Sequence, residues 1–182
     1  MLGLSFRTNP EWAQTALQDE TALLRDHAHL ERKAAMQVLT LIGQVPWAVD
    51  ELMEVAKEEI EHFERVCGVL EGRGEPLGVD HGNPYVRELS KATSNSLLDK
   101  ILRMGLIEAR SYERFDLLSR YAKGELADLF GGLKDSEAGH HAFFIKVGYD
   151  KWPREEVQQR WAELCRAEAE IVESLPWGPR IH

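Results

Sequence analysis

Cysteine is scarce in this chain, with two in 182 residues. A pair is too few for a disulfide framework, and both Cys67 and Cys165 sit within amphipathic patterns, which points to buried, reduced thiols of a cytoplasmic protein. Long apolar runs are missing as well. No stretch approaches the roughly 20 apolar residues of a membrane span. The opening MLGLSFRTNPEW has no basic segment leading into an apolar run, so no signal peptide is expected. There is no convincing period-two alternation of the kind strands require, and no flavin or nicotinamide motif. Cationic side chains are outnumbered, 22 Lys and Arg against 31 Asp and Glu, for a net charge of −9. That argues against a protein that coats nucleic acid non-specifically, while leaving room for a local basic patch.

What remains is helical periodicity along nearly the whole chain, in a length that suits one domain over residues 1–182 with a continuous core. Asn9-Pro10 predicts a helix start, with Asn as cap and Pro in the first turn. A short helix over roughly 10–18 leads into long ones over roughly 20–43, 46–72, 94–123 and 126–149, and Pro153 opens a last helix to about 174. Gly43, Pro46 and Gly124 mark short turns. The stretch GRGEPLGVDHGNP reads as loop, and residues 72–93 are long enough to cross a bundle. Two helical hairpins joined by one long crossover, with additional N- and C-terminal helices, make an all-α, ferritin-like four-helix bundle.

The apolar stripes of the four long helices contain residues that do not belong in a hydrophobic seam. They read Leu24, His27, Glu31, Ala35, Val38, Ile42; then Leu52, Val55, Glu59, His62, Val66, Leu70; then Leu97, Ile101, Met104, Glu108, Tyr112, Phe115; and finally Leu133, Glu137, His140, Phe144, Val147. An isolated ionised carboxylate in an apolar interior costs on the order of tens of kcal/mol, so it must neutralise, pair or bind metal. The same faces offer no lysine. Two divalent cations balance four carboxylates, and neutral imidazoles complete the shells. Glu59 and His62 are three positions apart, as are Glu137 and His140, so each pair shares a helix face. The unit Glu, then Glu-x-x-His, thus occurs once per predicted hairpin. The ligand types leave iron and manganese both open. His27, one turn before Glu31, is either a neighbour of the centre or a capped, partly exposed histidine. Tyr112, one turn after Glu108, is either a core aromatic or a wall of an oxygen-binding cavity, while His141 is rotated by about 100° from His140 and is not assigned to metal.

The runs DHAHLERKAA, EEIEHFERV, GLIEARSYERF and DSEAGHHAFF, spread from the first long helix to the fourth, resemble the MiaE-type tRNA hydroxylases. His29-Leu30 departs from the family's pattern but leaves the ligands untouched. The resemblance implies a non-haem diiron monooxygenase that hydroxylates the isopentenyl group of 2-methylthio-isopentenyl-adenosine beside the tRNA anticodon. It would use dioxygen and two electrons from an external donor, such as a ferredoxin-type protein. By that analogy Glu31, Glu59, His62, Glu108, Glu137 and His140 are the iron ligands and act in catalysis through the metal.

A basic entrance for the tRNA anticodon loop is then expected. Arg103, Arg110, Arg114, Arg120 and Lys123 lie on one predicted helix and Arg32 and Lys33 on another, and Arg110 and Arg114 are the candidates for phosphate contact. Ordinary solvated helix faces account for these cations equally well. The competing functions are a ferritin-like iron oxidase or store, a rubrerythrin-like peroxidase that does not act on tRNA, and a helical interaction module. Absence of Cys-x-x-Cys pairs, which the rubredoxin-like iron site of many rubrerythrins needs, weighs against the second. Oligomeric state stays open.

Overall fold

A computed structural model describes residues 3–182, and among them the regular structure is entirely helical: α1 Glu11–Ala16, α2 Glu20–Ile42, α3 Val49–Gly72, α4 Pro84–Ala92, α5 Leu97–Tyr121, α6 Glu125–Lys151 and α7 Arg154–Ser174. The starts of α2, α4 and α5 follow side-chain capping. Asp19 accepts the amide of Ala22 ahead of α2, and Ser96 accepts that of Asp99 ahead of α5. Gly124 opens α6 at φ 54°, a backbone conformation that costs glycine little. Helix α4 departs from the reading of residues 72–93 as plain crossover. Its signal is the dipeptide Asn83-Pro84, which repeats the logic of Asn9-Pro10: Asn83 accepts the amides of Tyr85 and Val86, and Pro84 takes the first turn.

The chain divides into two compact units. The first holds the N-terminal segment through Ala13, residues 83–177 and His182. In it Tyr85 and Leu89 of α4 join a core with Leu98, Leu102 and Leu106 of α5 and Val157, Leu164, Cys165 and Val172 of α7. Helices α5 and α6 run as a hairpin, and Gly105 permits their close approach: a Cβ there would stand 3.2 Å from the Cβ of Phe144. The second unit holds residues 14–82 and 178–181. Its α2–α3 hairpin buries Leu23, Leu24, Ala28, Val38 and Leu41 with Leu52, Val55, Val66 and Leu70, and Val45 and Ala48 of the turn are buried too. The terminal WGPRIH run, which carries no helical pattern of its own, is built in. In the second unit Ile181 is buried and donates its amide to Asp26, and in the first His182 pairs with Ser111 and stacks on Tyr85.

The first unit is organised around a buried cation. Arg110 is 0 % exposed, and its guanidinium donates to both oxygens of Glu168 on α7 at 2.7 and 2.8 Å, to Glu113, to the Thr8 hydroxyl and to the carbonyl of Phe6. Tyr85 donates its hydroxyl to the same Glu168. Arg114, 5 % exposed, stands over the Trp12 ring at 4.6 Å, and burial together with the neighbouring Arg110 lowers its pKa to about 10. Arg110 and Arg114 are therefore internal, and the expectation that they meet tRNA phosphates is corrected. Their stripe faces protein because Glu168 of α7 and Glu113 neutralise it. Helical periodicity on α5 alone carries no information about that partner.

A buried ion pair broken on one side is worth about 3–5 kcal/mol. Glu168→Ala is expected to destabilise the chain by about that amount, whereas Arg110→Met with Glu168→Leu recovers at least half of the loss; denaturant titrations of the three proteins check this. At the start of α5, Asp99 accepts two bonds of 2.7 Å from Arg160 and one from the Ser94 amide. Burial raises its pKa, but these partners win and bring it from 3.8 to about 2. The depressed value stabilises the fold above the ordinary pKa, and the contribution is lost as pH falls toward 2. Acid unfolding of Asp99→Asn is expected to lack that part of the pH dependence; a parent-like slope between about pH 4 and 2 would contradict it.

Candidate metal centre

In the second unit, α2 and α3 bring three of the expected ligands together. Glu31, Glu59 and His62 are buried, and one donor atom of each lies within 4.8 Å of the others. His62 Nδ1 stands 3.7 Å from Glu31 and 3.7 Å from Glu59. The reason is the register of the hairpin: Glu59 and His62 share one face of α3 one turn apart, and Glu31 occupies the inward face of α2. His27, one turn before Glu31, is fully buried, and its Nε2 lies 2.5 Å from Glu31 Oε1. Burial pushes the Glu31 carboxyl up. The charge and hydrogen bond of His27, with the bonds to His62 and Glu59, outweigh that and hold it well below its ordinary 4.5, so the group is an anion.

In the first unit the matching set comes from α5 and α6. Glu108, Glu137 and His140 are all buried, and donor atoms of Glu108 and His140 lie within 4.8 Å of one another. Glu137 precedes His140 by one turn on the same face of α6, and Ser136 Oγ is 3.4 Å from His140 Nε2. His141 turns elsewhere, donating Nδ1–H to the carbonyl of Gly105 at 2.9 Å, in accord with its exclusion from the ligand set. Tyr112 is half-buried on α5 one turn after Glu108. Each unit thus offers two buried carboxylates and one imidazole. Hard carboxylate oxygens with borderline imidazole nitrogens suit iron or manganese, and four carboxylates match the charge of two divalent ions.

The chain matches a family model described as tRNA-(MS[2]IO[6]A)-hydroxylase (MiaE) over residues 3–182. A tRNA 2-(methylsulfanyl)-N(6)-isopentenyladenosine(37) hydroxylase from Pseudomonas putida is 33% identical over 183 residues, covering 96% of this chain and 89% of that protein. The like-named enzyme of Salmonella typhimurium is 28% identical over 144 residues, 75% of this chain and 53% of its own length. Among solved structures, a Synechococcus protein described as having aldehyde deformylating oxygenase activity superposes with a TM-score of 0.92 at 32% identity, covering 98% of this chain and 94% of that one. The fold class is accordingly the all-α, ferritin-like four-helix bundle with one crossover and added terminal helices. On a family match that runs from residue 3 to the end of the sequence, the chain belongs to the MiaE family of tRNA hydroxylases.

Proposed function

We propose that this chain is a diiron tRNA monooxygenase, in which Glu31, Glu59, His62, Glu108, Glu137 and His140 hold two iron ions. Its substrate is the isopentenyl group of 2-methylthio-isopentenyl-adenosine next to the anticodon. The observation that carries the reading is the burial of four carboxylates and two imidazoles at the family's motif positions, on faces otherwise made of Ala35, Val38, Val55, Val66, Met104, Phe115, Leu133 and Phe144. Iron, when bound, would supply the redox capacity for hydroxylating an unactivated methyl group with dioxygen, which no side chain possesses. The remaining work falls to the chain's own residues. Glu and His donors fix the metals, and His27 holds the Glu31 carboxylate in one orientation through Nε2. The aliphatic and aromatic neighbours exclude water, and Tyr112 forms a wall beside Glu108. Two electrons come from a separate donor of the ferredoxin type. No helix among the described residues is long and apolar enough to cross a membrane, and the proposed place of action is the cytoplasm, where tRNA is modified.

The reading is tested by giving iron-loaded protein dioxygen, a chemical reductant and tRNA that bears the thiomethylated isopentenyl nucleoside, then digesting the tRNA for mass spectrometry. Gain of one oxygen atom on that nucleoside is expected, at about two irons per chain, and Glu108→Ala is expected to abolish it. An unchanged nucleoside with conversion of an aldehyde instead would move the assignment toward the activity named for the Synechococcus protein. A second expectation follows from the cost of burying Glu59. In chelator, Glu59→Leu should unfold at a higher temperature than the parent, by an amount corresponding to about 1–3 kcal/mol, while its iron content falls. Equal melting of the two metal-free proteins would show that Glu59 carries no such burden.

A further inference from the structure

A tRNA needs cations on the surface, and a set is found on α2. Arg25 and Arg32 are two turns apart, about 10 Å along the axis, and Lys33 adjoins Arg32. All three are partly exposed, and all three are occupied by acceptors from the crossover that follows α3. Arg25 donates to the Glu75 carboxylate and to the carbonyl of Pro76, each at 2.9 Å. Asp80 bridges the other two, taking 2.9 Å from Arg32 and 2.8 and 2.7 Å from Lys33. One carboxylate between a guanidinium and an ammonium is the arrangement in which those groups bind a phosphate.

Glycine shapes the crossover that makes these contacts. Gly74, Gly78 and Gly82 recur every fourth residue at φ 71°, 74° and 76°, and a Cβ at Gly78 would stand 3.4 Å from the Arg25 side chain of α2. At Gly74 and Gly82 an added Cβ would meet nothing, so conformation and not space requires glycine there. Asp80 also accepts the Gly82 amide. Half-exposed ion pairs contribute little to stability, so exchanging a carboxylate for a phosphate is nearly balanced, and counterions released from the tRNA favour the exchange.

We infer that Arg25, Arg32 and Lys33 are the docking stripe for tRNA backbone phosphates, and that Glu75 and Asp80 occupy it as phosphate mimics until tRNA displaces them. The inference rests on the reading that the substrate is a tRNA. Arg32 and Lys33 directly follow Glu31 on α2 but face outward where Glu31 is buried, so the docking stripe and the proposed iron ligand share one helix on different faces.

Binding is measured with a full-length tRNA transcript that lacks all modification, by titration at several salt concentrations, on protein verified for helix content and for two irons per chain. Arg32→Gln with Lys33→Gln should weaken binding at least tenfold and flatten the salt dependence by roughly 0.7–0.9 for each cation removed. Asp80→Asn should do the opposite and tighten binding several-fold, because it frees both cations. Lys57→Gln, which removes an exposed cation paired with Glu54 on α3, should leave the affinity unchanged. A loop that merely needs its ion pairs for order predicts weaker binding in Asp80→Asn, and weaker or unchanged binding there overturns the inference. The functional reading fails separately, when tRNA binds the parent protein but the thiomethylated nucleoside gains no oxygen; a parent that binds no tRNA overturns both.

Discussion

Four carboxylates lie buried on helix faces that are otherwise apolar, and most of this chain's organisation answers to the electrostatic burden they impose. Transfer of an ionised carboxylate into a low-dielectric interior is unfavourable by far more than a single side-chain hydrogen bond returns. Each hairpin therefore has to bury many aliphatic and aromatic groups around its Glu-and-His set to remain folded. Long helices suit that task, because a register of three or four residues places ligand and aliphatic neighbours on one face without any irregular backbone. The same burden explains why His27 is drawn to Glu31: an imidazole one turn away settles one carboxylate and leaves its orientation fixed.

Legibility followed the same physics. Glu31, Glu59, His62, Glu108, Glu137 and His140 stood out in the sequence because each interrupts an apolar stripe, a contrast that a single helix displays by itself. Helix α4 was less visible. Nine residues with two fully buried side chains, Tyr85 and Leu89, give too short a pattern to compete with the glycines and prolines around them, although Asn83-Pro84 marked its start. The arginines of α5 were misread for a different reason. A guanidinium on a helix looks solvent-facing until its counterion is known, and the counterion of Arg110 is Glu168, on a helix that begins 44 residues later (154 − 110). The terminal Ile181 and His182 likewise gain their meaning only from Asp26 and Ser111, far away in sequence.

The two buried ionic systems differ in kind. Arg110 and Glu168 form a closed set in which donors and acceptors are matched within the protein, so the group asks for nothing from outside. Glu59, Glu108 and Glu137 instead lie buried within one helical turn of a histidine or on the facing helix, acidic and imidazole groups gathered on otherwise apolar faces. Buried polar groups thus form a self-contained set in one place and the proposed metal site in the other.

Gly105 sets the gauge of the α5–α6 hairpin. It stands one turn before Glu108, and the group it meets is Phe144, one turn after His140. The missing methyl at that level lets the two backbones converge just beside Glu108 and His140, so the span between a carboxylate on one helix and an imidazole on the other depends on a side chain that is not there. A methyl group at position 105 would therefore have to be absorbed by a shift of Phe144 or of the helix that carries it, and the spacing of Glu108 and His140 would change with no substitution at either residue.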